Sequence, residues 1–294
     1  MTLRSLVCVA ALLIATPALA QKQVTLLVTA TSPTGQPIGA LEPSAVGVTE
    51  NGAPAAVVKV EPVDRVRKLH LLVDNGVGIP AEAIGDLRKG LRSVVEAVPA
   101  GVMISVYTTA PQPRAIERGT TDREKVLKAV DLISPDIGAG RYVEALSELS
   151  ERIERDKDST NVVVAVATAS GDLRVRDDDV KKVVQRSANG RMKVYTLLFA
   201  RNTAGSLSGG DLPATVGESI ARTSGARYEK INATSRLASL LAEYGADLVK
   251  TMGETARQFR ITVDRPAGQS GTLGKMSLGI TGLLVSSVNV EASR

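Results

Sequence analysis

The spacing of hydrophobic residues changes twice along the chain and divides it into three segments. Between residues 66 and 253, short runs of Val, Leu and Ile alternate with stretches in which apolar residues recur every three to four positions. This alternation of buried strands and amphipathic helices predicts an α/β fold, a doubly wound and mostly parallel sheet with helices on both faces. The segments before and after it are rich in β-forming and turn residues.

The central segment predicts five strands and six helices. The strand predictions are Leu69–Val73, Val102–Tyr107, Asn161–Thr168, Met192–Phe199 and Tyr228–Ile231. The helix predictions are residues 84–98, Asp122–Leu132, Tyr142–Ile153, Asp179–Arg186, Gly217–Thr223 and Ser235–Met252. We expect Asn189-Gly190 to end the fourth helix and residues 204–211, which are rich in Gly and Ser, to form a loop.

The two terminal segments predict further strands. The first holds Val24–Thr31, Val46–Glu50 and Val57–Val60, with the strong hairpin signal Asn51-Gly52 between the last two. Three such strands do not fold stably alone. The last segment offers Phe259–Val263, Met276–Ile280 and Leu283–Val290. We therefore predict that residues 21–64 and 256–294 pair as one small β-domain, with the α/β unit of residues 66–253 inserted between them.

Residues 1–20 are typical of a signal peptide. Arg4 is followed by an apolar run over residues 6–14 and by Ala18-Leu19-Ala20, which fits an A-x-A cleavage site. The apolar run is too short to span a bilayer. The sequence therefore predicts an exported protein, periplasmic or extracellular, that is not inserted in a membrane after cleavage.

Composition removes several function classes. With one Cys and one His, the chain offers no zinc site built from several of either residue, and a Ser/His/Asp triad would depend on His70 alone. We expect His70, which lies within a buried strand, to be a core residue. Aromatic residues make up 2% and the 36 basic residues are interleaved with 31 acidic ones, which argues against nucleic-acid binding. Residues 76–81 fit the G-x-G-x-x-A form of a dinucleotide motif, but no acidic residue ends the next strand.

Three stretches carry a family resemblance. Residues 69–78 read LHLLVDNGVG, residues 162–172 read VVVAVATASGD, and residues 220–228 pass from a helix to a strand. In this order and spacing they resemble the first strand, the fourth strand and the late helix-to-strand passage of a von Willebrand factor A domain. Residues 24–62 are similar to the β-region that precedes this domain in exported bacterial "VWFA-related" proteins.

The resemblance implies a Mg²⁺ or Mn²⁺ site, but this sequence departs from it at the ligands. The family's metal is held by the first Asp and two Ser of Asp-x-Ser-x-Ser, a later Thr, and the Asp of Thr-Asp-Gly, which are the hard oxygen donors such ions require. Here Asp74 matches the first Asp, whereas Gly76, Gly78, Gly140 and Ser170 occupy the other positions. We therefore expect a degenerate metal site, no cofactor, and a structural role for Asp74.

The carboxyl ends of the parallel strands still define a face. Ligands of open α/β sheets bind outside these ends. We expect the chain to be a non-enzymatic module that binds another protein there, through Asp74, Asn75, Gly76, Gly78, Asp136, Gly140, Arg141, Ser170 and Asp172. One alternative is a metal-dependent adhesion or sensing domain that rebuilt its site from Asp74, Asp136 and Asp172. Another is a hydrolase or oxidoreductase of unrecognised chemistry.

Overall fold

The computed structural model describes residues 23–291, except residues 37, 64, 157, 170–174, 189–191, 201–211, 254–255 and 270. The described part of the chain forms two sheets of six strands each. The predicted signal peptide lies outside the described residues, as do Asn189-Gly190 and the loop of residues 204–211. Every helix in the described part falls short of the length and apolar character needed to cross a membrane.

In the described part of the chain, strands and helices alternate in the central segment and strands alone fill most of the two ends. The strands are β1 (Gln23–Thr31), β2 (Val46–Glu50), β3 (Ala53–Val63), β4 (Val66–Val73), β5 (Met103–Thr108), β6 (Arg114–Thr120), β7 (Ser159–Thr168), β8 (Met192–Phe199), β9 (Tyr228–Ile231), β10 (Ala256–Asp264), β11 (Met276–Ile280) and β12 (Leu284–Glu291). The helices are α1 (Ile84–Ala97), α2 (Arg123–Asp131), α3 (Tyr142–Arg155), α4 (Asp177–Ala188), α5 (Leu212–Ser224) and α6 (Leu237–Met252).

The central sheet has the order β6-β5-β4-β7-β8-β9, and its strands are parallel except β6. Successive side chains of a strand point to opposite faces. In β4, Leu69, Leu71 and Val73 join the core under α1, α2 and α6, whereas Leu72 joins the core under α3, α4 and α5. These two apolar layers confirm the predicted doubly wound, mostly parallel arrangement.

The two ends of the chain form the second sheet, which we call the terminal sheet. Its order is β11-β2-β3-β10-β1-β12, with antiparallel pairs throughout. The first strand, β1, lies between the late strands β10 and β12. The amino- and carboxyl-terminal segments therefore pair with each other as the sequence predicted, and neither makes this sheet alone.

A buried ion pair ties the two segments of the terminal sheet together. Glu50 at the end of β2 is fully buried, and Arg265 just after β10 is 2% exposed. Arg265 donates to both carboxylate oxygens of Glu50, from Nε to Oε2 at 2.9 Å and from Nη2 to Oε1 at 2.5 Å. The backbone N–H of Gly274 also donates to Oε1 at 2.8 Å. These hydrogen bonds hold the pKa of Glu50 below its usual value. Such bidentate pairing satisfies a carboxylate that has lost its water.

The parallel strands give the central sheet two distinct edges. We call the edge at their carboxyl ends the upper edge and the opposite one the lower edge. The upper edge carries the loops that follow β4, β5 and β7 and the connection between α2 and α3, residues 132–141. β6 was not foreseen, and several elements are longer than predicted: α5 begins at Leu212, five residues before the predicted start, and β3 covers Ala53–Val63 where Val57–Val60 was predicted. β4 and β10 each begin three residues earlier than predicted.

Candidate functional site

Asp74 lies at the centre of the upper edge, immediately after β4. Its backbone N–H donates to Val166 of the neighbouring strand at 2.8 Å, which continues the β4–β7 pairing by one residue. The side chain is fully buried. Its Oδ1 accepts from the backbone N–H of Gly76 at 2.8 Å and its Oδ2 from the hydroxyl of Thr168. Burial raises the pKa of this carboxyl group above its usual value, and the two hydrogen bonds oppose that rise.

The chain approaches Asp74 so closely at Gly140 that a side chain does not fit. A Cβ atom at this position would lie 2.1 Å from both Cγ and Oδ2 of Asp74. A Cβ atom on Gly76 would likewise lie 2.3 Å from the carbonyl oxygen of Gly138 and 2.9 Å from the Cβ atom of Ala110. The glycines at the upper edge therefore let neighbouring loops pack directly against one another.

Asn75 fastens three segments of the upper edge. Its Nδ2 donates to the carbonyl oxygen of Ser134 at 2.8 Å, its Oδ1 accepts from the backbone N–H of Ala110 at 3.3 Å, and its own carbonyl oxygen accepts from Asp136 N–H at 2.8 Å. The backbone N–H of Val77 also donates to Gly138 at 3.0 Å. The loop after β4 is thus bonded to both the β5–β6 loop and the α2–α3 connection.

The structure corrects part of the expected binding face. Four residues of this face are buried in contacts between the loops: Asp74, Asn75, Gly76 and Gly140. Gly78 and Asp136 are half-buried, and Arg141 is exposed in an ion pair with Glu144 at 3.1 Å. Ser170 and Asp172 lie outside the described residues.

Three large apolar residues of these loops are exposed: Leu132, which ends the predicted helix Asp122–Leu132 and is 70% exposed, and two residues that were not part of the expected face. Val77 is 63% exposed and Ile137 is 97% exposed. The hydrogen bond from Val77 N–H to Gly138 brings these two loop tips together. Single apolar residues within loops have no periodicity, so the only signal available was a neighbouring glycine: Val77 lies between Gly76 and Gly78, and Ile137 precedes Gly138.

The described residues do not fit a metal ion of the kind the resemblance implies. Gly76, Gly78 and Gly140 carry no side-chain oxygen, and Asp136 Oδ1 already accepts from the backbone N–H of Gly138 at 2.9 Å. Among the described residues, no three His, Cys, Asp or Glu side chains cluster in a way that could hold a metal. Since Asp172 is not among them, the alternative site of Asp74, Asp136 and Asp172 stays a prediction.

His70 is buried, as expected of a core residue. It is 6% exposed, and its Nε2 lies 3.1 Å from Oδ1 of Asn161, whereas Nδ1 has no hydrogen-bond partner among the described residues. Burial lowers the pKa of His70 to about 4. The ring is therefore neutral at pH 7, and it lies within β4 rather than in the upper loops.

Comparisons with solved structures agree with this architecture, although the sequence matches no protein-family model and no curated protein. A von Willebrand factor type A protein from Catenulispora acidiphila is similar with a TM-score of 0.53 at 10% identity, over 93% of this chain and 74% of that one. BatB, a conserved hypothetical protein from Bacteroides thetaiotaomicron, gives 0.47 at 11% identity, over 63% of this chain and 99% of that one. The vWF domain of the pilus tip protein Mfa5 from Porphyromonas gingivalis gives 0.46 at 8% identity, over 65% and 97%. The chain therefore has the fold of a von Willebrand factor A domain, to which its two ends add a second β-sheet.

Proposed function

We propose that the chain is an exported, non-enzymatic module that binds a protein partner through its upper loops, without a metal ion between them. The observation that carries this proposal is the closed packing of these loops over Asp74, with the apolar side chains of Val77 and Ile137 exposed on them. Export is inferred from the signal peptide predicted over residues 1–20.

The loss of the metal site is the first part of the proposal. A magnesium ion keeps near-ideal octahedral geometry and requires several oxygen ligands at short distance. At Asp74 one carboxylate oxygen accepts from Gly76 and the other from Thr168, and Gly140 fills the space against the carboxyl group. A carboxylate used in this way is a structural acceptor that holds the loops together.

The absence of catalysis is the second part. The chain has one His, and it is buried, hydrogen-bonded to Asn161 and remote from the upper loops. Its pKa of about 4 makes it a weak base. A general base works best with a pKa near the working pH and within reach of substrate. His70 meets neither condition, which argues against a triad built on it.

The third part concerns the binding surface itself. Protein interfaces commonly place a few apolar anchors at the centre of a polar rim. Val77 and Ile137 offer such anchors, and the exposed Arg141–Glu144 ion pair lies in the connection that also carries Ile137. Because Val77 and the residues on both sides of Ile137 are hydrogen-bonded between the loops, fixing the backbone of these anchors on binding costs little entropy.

The test is partner capture with matched variants. Immobilised wild-type chain, Ile137→Asp and Leu284→Asp are each incubated with an envelope extract of the source bacterium, with and without a chelator. Leu284 is the control because it is also a large exposed apolar residue, with an exposed fraction of 61% against 63% for Val77, but it belongs to the terminal sheet. We expect one protein to be retained by the wild-type chain and by Leu284→Asp, regardless of chelator, and to fall at least tenfold with Ile137→Asp. Equal retention by Ile137→Asp would overturn the proposed face, and loss with chelator would overturn the metal-free mechanism.

A direct metal titration tests the first part separately. Calorimetric titration of the chelator-treated chain with Mg²⁺ and Mn²⁺ up to millimolar concentration is expected to give no saturable heat. Saturable one-to-one binding that disappears in Asp74→Ala would instead favour the metal-dependent alternative.

A further inference from the structure

A second candidate site lies at the other end of the central sheet. A cleft of about 1080 Å³ opens between the lower edge of this sheet and the terminal sheet, and we call it the basal cleft. One wall is formed by the first residues of β4, β7 and β8 together with the last residues of α5 and α6. The other wall is formed by polar side chains of β1, β10 and β12. The two halves of the chain therefore build this cleft jointly.

The described lining of the basal cleft carries charge of one sign. None of its described lining residues is an Asp or a Glu, although the whole chain has 31 acidic residues against 36 basic ones. Its basic lining residues are Arg65, Arg67, Lys193, Arg222, Lys250 and Arg257. Hydroxyl and amide side chains make up most of the remaining polar lining. Positive charge gathered between low-dielectric walls focuses the electrostatic field and attracts anions.

The basic side chains are of two kinds. Arg67 Nη1 donates to the carbonyl oxygen of Met252 at 2.5 Å, and Arg257 Nη1 donates to that of Ile38 at 3.1 Å. Arg65 pairs with Glu291 at 3.5 Å, so these three side chains are held in place by the protein. Lys193, Arg222 and Lys250 have no ion-pair partner among the described residues. Lys193 is half-buried, and burial lowers the pKa of its ammonium group. This is expected of a positive charge that is partly removed from water and has no counter-ion nearby.

Helix ends account for only part of this pattern. Arg222 and Lys250 lie in the last turns of α5 and α6, where the carbonyl ends of a helix favour cations. Arg67, Lys193 and Arg257 lie on strands, which offer no such dipole. The shared feature of these residues is thus the cleft rather than the helix ends.

We propose that the basal cleft binds a small anion that carries several phosphate or sulfate groups. Lysine and arginine are the side chains that bind such groups, and the neighbouring hydroxyl and amide groups supply further donors. No aromatic side chain is among the described lining residues, so the cleft has no platform on which a nucleobase or sugar ring would stack. The volume accommodates a ligand larger than a single phosphate. This site is independent of the partner face at the upper edge.

The test is calorimetric titration of the full chain with sodium tripolyphosphate, a sulfated disaccharide and sodium monophosphate at low salt. We expect saturable binding of the tripolyphosphate or of the sulfated disaccharide, at least tenfold tighter than that of monophosphate. The compound that binds more tightly shows whether the cleft prefers phosphate or sulfate groups. In Arg222→Gln/Lys250→Gln, binding should weaken at least tenfold, since both side chains are exposed and their loss leaves the fold intact.

The matched control removes the same charge elsewhere. Lys89→Gln/Lys128→Gln lowers the net charge equally, at exposed positions of α1 and α2 far in sequence from the cleft, and should leave the affinity within twofold. Lys193→Gln is a second, independent variant within the cleft and should also weaken binding. Equal weakening by the cleft and control pairs, or the absence of saturable binding to all three anions, would overturn the proposal.

Discussion

Gly140→Ala is the sharpest test of how the upper loops pack. The added Cβ atom would lie 2.1 Å from Cγ and Oδ2 of Asp74, whereas ordinary contacts begin at 3.4 Å. The two residues must therefore separate by at least 1.3 Å, the difference between these distances. Asp74 has no freedom to retreat, because it is fully buried and bonded to Gly76 and Thr168.

The expected cost follows from this crowding. Inserting a methyl group into a packed region destabilises a protein by about 1–3 kcal/mol. We expect Gly140→Ala to lower the free energy of unfolding by at least this amount, because the obstructing atoms belong to a buried carboxylate and not to a flexible side-chain end. The measurement is urea unfolding followed by circular dichroism, since the chain has no Trp.

Gly85→Ala provides the matched control. Gly85 lies exposed in the first turn of α1, and its added Cβ atom would meet nothing within 4 Å. Because alanine favours helices more than glycine does, the free energy of unfolding of this variant should equal that of the wild-type chain or exceed it by up to about 1 kcal/mol. If Gly140→Ala behaved like Gly85→Ala, the loops would not close over Asp74 and the argument against a metal there would fail.

Three further predictions concern buried polar groups, each measured by urea unfolding. The pKa of His70 is about 4 in the folded chain against 6.5 ordinarily, so between pH 6.5 and pH 4 the unfolded chain binds more protons at this residue. The free energy of unfolding should therefore fall by up to about 3 kcal/mol as the pH drops from 6.5 to 4, and His70→Gln should abolish this contribution. The hydroxyl of Thr109 is buried without a partner among the described residues, so Thr109→Val should raise stability by about 1 kcal/mol, and a lower stability would reveal a hidden partner. Glu50→Gln should lower the urea midpoint, and adding Arg265→Met should restore part of it, because the double variant leaves no unpaired buried charge; a further drop would contradict this account.

Much of the fold was predictable because the buried face of a strand or helix requires apolar residues at regular spacing in the sequence. The strands Met192–Phe199 and Tyr228–Ile231 have the predicted boundaries, and the terminal strands pair as expected. β6 was missed for a physical reason: it pairs only with β5, at the edge of the sheet, so its side chains are half-buried or exposed and its sequence, RAIERGT, has no apolar run. An edge strand depends on its neighbour more than on its own residues.

The candidate site was predictable at the level of loops and not of side chains. Parallel strands bring their carboxyl ends to one edge, so the loops around Asp74 and Asp136 were expected to lie side by side, and they do. Which residues of those loops face solvent depends on contacts between them, and no periodic pattern encodes such contacts. Asn75 was thus expected at the surface, but it is buried and its side chain bonds to two neighbouring segments. Ile137 was not among the expected surface residues, yet it is 97% exposed.

The glycines at the upper edge have two effects that act in the same direction. Gly76 and Gly140 offer no side-chain oxygen to a metal, and neither has a Cβ atom that would keep the neighbouring chain away. Once Gly140 rests against the carboxyl group of Asp74, the ligand that remains is buried and its oxygens are bonded to Gly76 and Thr168. Returning one hydroxyl side chain to position 140 would therefore not return a metal site, because the new side chain would first have to displace the loop that fills it. On the proposed function, the same closure holds Val77 and Ile137 in place for a partner, so glycine at positions 76 and 140 both offers no metal ligand and supports the apolar surface.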